Sequence, residues 1–180
     1  MFIIDDTLSM RPHWPAVLSL FGDLAYLIKK EKLDPDGSEL YFTVSDEWKR
    51  KKDTTDLKDM VSARAKHLGN NSNPARRLDW HLKKYEEELE EYENSRSRVV
   101  SFSKPVRPKN IYIFTDGVWQ PGETCLDRIK RPIKRLVDTL EAVRAPDDQI
   151  GLQFIQFGND EVGTRRMVIL DEQLGLKRSV

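Results

Sequence analysis

The chain has 180 residues, enough for one compact domain with a sizeable core and few for two. Its 30 Lys+Arg balance its 30 Asp+Glu, so no net field draws it to nucleic acid or to an anionic membrane. No apolar run nears the ~20 residues of a membrane span, and a single cysteine, Cys125, excludes an intramolecular disulfide and a multi-cysteine zinc site.

Residues 1–5 read as a short buried strand. Met1-Phe2-Ile3-Ile4 is too short for a signal peptide and acids follow it at once, so an intracellular setting is expected. A helix follows, with Trp14, Val17, Leu18, Phe21, Leu24, Ala25 and Ile28 at three- and four-residue spacing. Ser9 is a candidate cap, and Pro12 and Pro15 suit a loop entry or first turn. "LDPDG" (33–37) signals a turn before a second strand, "ELYFTV" (39–44). "KRKKDTTD" (49–56) has the look of a solvated loop. A short helix then carries Leu57, Met60, Val61 and Leu68 inward.

From Pro74 a long helix is predicted to about Ser95, with Leu78, Leu82, Tyr85, Leu89 and Tyr92 on one side and a solvated acidic face at 86–91. "NIYIFTDG" (110–117) is a fully apolar strand ending in Thr-Asp-Gly. The next helix turns Ile129, Ile133, Leu136, Leu140 and Val143 inward, with Pro132 in its first turns or kinking it. "IGLQFIQFGND" (150–160) is another strand, and a last amphipathic helix lies near Thr164 to Leu174. There is no internal repeat, no low-complexity tract and no linker.

Strands alternate with helices, and three strands are apolar along nearly their whole length. That pattern predicts a single α/β domain spanning 1–180, doubly wound, its mostly parallel sheet covered by helices on both faces. Ligands of such sheets bind where the strands end. There the first strand delivers Asp5, Asp6, Thr7 and Ser9, the "FTD" strand Thr115 and Asp116, and the last strand Gly158, Asn159 and Asp160. The loop at 70–73 adds Asn70, Asn71, Ser72 and Asn73. Oxygen donors dominate and thiols are absent, which is the chemistry of Mg2+, Mn2+ or Ca2+. In Asp5-x-Thr7-x-Ser9, alternate side chains leaving a strand point the same way and can converge. Asp116 would join Asp5 in supplying negative charge, and two buried carboxylates without a cation would repel and take up protons. The competing reading of the same residues is capping and turn chemistry.

"IIDDTLSM" (3–10) resembles the D-x-S-x-S signature of von Willebrand factor A domains, with threonine for the first serine. "IYIFTDG" is similar to their apolar strand ending in T-D-G, and the order and separation of the two fit. "LDPDG-SELYF" stands where such domains, fungal ones especially, enter their second strand. The resemblance spans nearly the whole chain and implies a Rossmann-like three-layer sandwich. It also implies a metal-ion-dependent adhesion site, with Thr7 and Ser9 ligating Mg2+ through their hydroxyls and Asp5 and Asp116 acting mainly through bound water. Ser72 would stand for the family's loop threonine, since "NSNPARRL" aligns with G-T-x-x-x-x-x-L; Asn71 and Asn73 are the alternative oxygens in that loop. A partner's Asp or Glu carboxylate would complete the shell. Leu8 replaces the family's usual glycine, the chain begins directly on its first strand, and the family's last strand is expected to be missing.

Outside that constellation, Asp6 reads as a supporting or surface acid, and Asp46 and Asp160 as rim residues. His13, His67 and His81 have no ligand spacing and read as surface or packing residues. Trp14 reads as core, and Trp119 as a residue able to line a binding face. Cys125 reads as inert, and the basic runs 49–52 and 128–135 as solvated. "DDTL" partly matches the D-x-D-G-T-L motif of haloacid-dehalogenase-like phosphatases, but that superposition puts Ile3 at the nucleophile position, and an alkane cannot attack phosphorus. A metal-free scaffold using a helix face or sheet edge is the remaining alternative, along with a divergent metal-dependent phosphoesterase that would lack a nucleophile.

Overall fold

In the computed structural model, which describes residues 1–70, 73–96, 104–119 and 124–173, five strands form one sheet in the order β3-β2-β1-β4-β5. They are β1 (Phe2–Ile4), β2 (Ser38–Phe42), β3 (Trp48–Lys51), β4 (Lys109–Thr115) and β5 (Ile150–Gln156). β1 pairs in parallel with β2 and with β4, and β4 with β5; β3 alone runs antiparallel, against β2. The helices are α1 (Trp14–Lys30), α2 (Thr54–Arg64), α3 (Pro74–Arg96), α4 (Thr124–Ala142) and α5 (Glu161–Gln173).

The strand period of two divides the core. Phe2, Ile4, Leu40, Phe42 and Phe114 face α1 and α2, where they meet Val17, Phe21, Leu57 and Val61. Ile3, Tyr41, Ile111 and Ile113 face the other way, onto Leu78, Leu82 and Leu89 of α3 and Ile129, Ile133 and Leu136 of α4. Leu170 of α5 joins that second cluster. Burial on both faces is why the central strands read as unbroken apolar runs rather than alternating ones. The arrangement is a mostly parallel α/β sheet in three layers, as the alternation of elements predicted.

Three local expectations are corrected and a fourth is narrowed. Residues 49–51, expected in a loop, belong with Trp48 to the outer strand β3; all four side chains are exposed, so no buried face writes a period into the sequence. Ser9 does not cap α1: Leu8–His13 form a 3-10 helix, and α1 starts after His13 with no side-chain cap. Leu68 lies beyond the end of α2 rather than on it, half-buried against the α1 and α2 core. Pro132 falls in the interior of α4, past its first turns. Among the described residues no helix is long and apolar enough to cross a membrane.

Candidate metal centre

Asp5 is the first residue beyond β1, at the carboxyl end of the central strand, and it is fully buried. Its amide donates to Phe114 O of β4 at 2.8 Å, which ties the tips of the two strands together. Hydroxyls surround its carboxylate. Thr7 Oγ1 donates to Asp5 Oδ1 at 2.9 Å, and Thr43 Oγ1 lies 3.1 Å from the same oxygen. Thr115 Oγ1 donates to Oδ2 at 2.9 Å, from the last residue of β4.

The side chains of the Asp5-x-Thr7-x-Ser9 run do converge. Thr7 Oγ1 gives its proton to Asp5 and lies 3.0 Å from Ser9 Oγ, so the three side chains make a continuous line of oxygens from the buried strand tip to the surface. A short parallel bridge between Thr7 and Gly69 braces this loop. Leu8 N donates to Gly69 O at 2.7 Å, and Gly69 N donates to Asp6 O at 2.9 Å. A β-carbon at Gly69 would sit 2.5 Å from Val44 Cγ1, so any larger residue there must displace the Val44 side chain. Leu8 itself is exposed.

Asp116 stands one residue past β4, buried, next to the strand end that carries Asp5. Its Oδ1 accepts from Val118 N at 2.9 Å, a turn-type bond within its own loop. Its neighbour Thr115 also accepts from Gly117 N at 3.0 Å and from Trp119 Nε1 at 2.7 Å. Trp119 is therefore not a binding-face residue. It is buried to 1% exposure in the α3 and α4 core and holds Thr115 from behind. Ser72 and Asn71 lie outside the described residues. Asn73 Oδ1 accepts from Arg76 N at 2.9 Å and so serves the start of α3.

The other candidates have plain structural work. Asp160 Oδ1 accepts from Val162 N and Gly163 N at 2.9 and 3.1 Å, at the start of α5. Asp46 pairs at the surface with Arg76 and Arg77. Trp14 is buried with its Nε1 on Val61 O at 3.0 Å. Cys125 is buried, and burial pushes its thiol pKa up. Sequence reasoning underrated Asp6, whose partners lie far along the chain; the adjacent acid in "DD" was the only local sign of it.

Chemically, the gathered donors suit a hard cation. Among the described residues no group of three or more His, Cys, Asp or Glu gathers, so a cation at this rim would depend on hydroxyl oxygens from Thr7 and Ser9 beside the carboxylates of Asp5 and Asp116. Compared with known proteins, the chain matches no family model and none of the curated proteins.

Proposed function

We propose that this chain is a von Willebrand factor A-like interaction module, which binds an acidic group of a protein partner through a Mg2+-type ion at the carboxyl end of the sheet. Asp5, Thr7, Ser9 and Asp116 would hold the ion, with Ser72 as the loop contribution. When bound, the ion supplies the positive charge that a partner's Asp or Glu carboxylate completes. The chain's own residues supply position: Asp5 orients the Thr7 hydroxyl, and Thr7 and Ser9 bring their oxygens to the rim. The observation that carries this reading is the unbroken line Asp5–Thr7–Ser9, at 2.9 and 3.0 Å, on the central strand tip beside Asp116. In this reading the role is binding rather than catalysis.

The test is thermal melting in EDTA, Mg2+ and Mn2+ for wild type, Asp116→Ala and Thr7→Val. An ion at 100 times its dissociation constant adds about 2.7 kcal/mol, or about 5 to 10 °C in Tm for a domain of this size. The expected outcome is such a shift in wild type, lost in both variants.

One observation favours a second reading, a metal-free scaffold that binds through a helix face or sheet edge. Both oxygens of Asp5 already accept hydroxyl protons from the protein, and Asp116 Oδ1 is bonded to Val118 N. Identical melts with and without ions would select that reading.

A further inference from the structure

We propose that Asp6 and Arg64 are a positioning pair for the cation-binding loop, setting the affinity of the site without touching the ion. The inference rests on the reading of Asp5, Thr7 and Ser9 as ligands. Asp6 sits between two of those residues and is fully buried, and its carboxylate bonds other groups than the Thr7 and Ser9 hydroxyls, sharing only the Thr43 hydroxyl with Asp5. Its Oδ1 accepts from Val44 N at 2.7 Å, with Thr43 Oγ1 at 3.3 Å, and its Oδ2 accepts from Ser45 N at 3.2 Å. Arg64 Nε, from the last residue of α2, donates to Oδ2 at 2.6 Å. The guanidinium lies over the Phe42 ring at 5.8 Å from its centroid, so the pair is closed off on one side by an aromatic face.

The consequence is mechanical. One carboxylate draws the end of β2 and the end of α2 onto the end of β1, while the backbone of the same residue receives Gly69 N. Gly69 O in turn holds Leu8 N, between Thr7 and Ser9. Thr7 is thus fixed from both sides, by Asp5 through its hydroxyl and by the Asp6 clamp through the backbone, and Ser9 follows through its contact with Thr7 Oγ1. Groups that orient metal ligands in this way typically change affinity by about 10- to 100-fold when removed. The pair also separates charges. Arg64 compensates Asp6 locally, which leaves Asp5 and Asp116 as the carboxylates facing the ion.

Charge and position make opposite predictions for Arg64→Gln. Removing a cation near the site would tighten Mg2+ binding by Coulomb attraction alone, whereas a released loop would weaken it. The decisive measurement is calorimetric Mg2+ titration of folded wild type, Arg64→Gln, Asp6→Asn/Arg64→Gln and Leu82→Ala. The double variant keeps the summed charge of the pair at zero. Leu82→Ala destabilises the opposite core and controls for general loosening. The expected result is about 10-fold or greater weakening in Arg64→Gln and in the double variant, with Leu82→Ala unchanged. Amide exchange at Leu8 and Gly69, measured without Mg2+, should accelerate in the same two variants and not in the control.

Should the double variant fail to fold, Arg64→Gln decides, because Val44 N and Ser45 N still hold Asp6 there. Unchanged or tighter binding in Arg64→Gln, or equal weakening in Leu82→Ala, overturns the positioning role while leaving the site itself standing. A wild type that takes up neither Mg2+ nor Mn2+ removes the site, and this role with it.

Discussion

His81 projects from α3 into the core beside Tyr41, ring edge to face at 4.2 Å between centroids, and next to Trp80. Its Nε2 is buried without a hydrogen-bond partner among the described residues. Burial pushes its pKa down to about 3, and the positive charges of Lys109, Arg77 and Lys84 push the same way. The folded chain therefore holds this imidazole neutral at a pH where the unfolded chain protonates it. The unfolded state binds more protons between about pH 6.5 and about 3, so this residue contributes a loss of stability as pH falls through that window. The limiting slope is about 1.4 kcal/mol per pH unit. Urea melts of wild type and His81→Phe at pH 7 and pH 5 should show a smaller acid loss in the variant, which keeps the aromatic contact without the titration. Equal acid losses would mean that His81 is not held neutral.

At the scale of elements, the junction of β4 with α5 is the tightest near the candidate site. Gly117 has φ of +79°, a left-handed conformation, and a β-carbon there would sit 2.7 Å from Gly163 Cα. A β-carbon at Gly163 would collide with the carbonyl oxygen of Asp116. Arg166 locks the same joint, donating to Gly117 O at 2.7 Å and to Trp119 O at 3.2 Å. Gly163→Ala sets two effects against each other. Alanine in a helix gains about 1 kcal/mol over glycine, while forcing a methyl against backbone costs about 1–3 kcal/mol. The obstacle here is backbone rather than a movable side chain, so a net loss in urea melts is the expected outcome. A stabilised variant would show that α5 can move away from Asp116.

The whole molecule consists of two apolar clusters on opposite faces of one sheet. They share no side chains, but they share strands: Ile3 belongs to one cluster and its neighbours Phe2 and Ile4 to the other. Losing either face exposes the same central strand, so the two should fail together. Phe21→Ala on the α1 side and Leu82→Ala on the α3 side are each expected to lower stability by about 2–5 kcal/mol, in one cooperative transition followed by circular dichroism and by tryptophan fluorescence. Separate transitions for the two probes would mean that the faces unfold independently.

How much of this was legible depends on how local its cause is. An apolar strand buried on both faces, and a helix with one buried stripe, write their periods into consecutive residues. β1, β2, β4, β5 and all five helices were therefore readable, as were the oxygens of Asp5, Thr7, Ser9 and Asp116 at strand tips. β3 wrote no period, because an outer strand with four exposed side chains has no buried face to encode. Trp119 looked like a surface aromatic, and became core only because Thr115 and the α3–α4 layer close over it. Asp6 looked like a spare acid until residues 38 and 58 positions away supplied its donors. The sequence by itself determined the elements, their alternation and which oxygens stand at strand ends, since those follow from local periodicity and from the rule that parallel sheets carry ligands at their carboxyl edge. Only the tertiary structure decided that Asp5 accepts from Thr7 and Thr115 while Asp6 accepts from Val44 and Arg64, because that choice is made by partners that meet through folding and not along the chain.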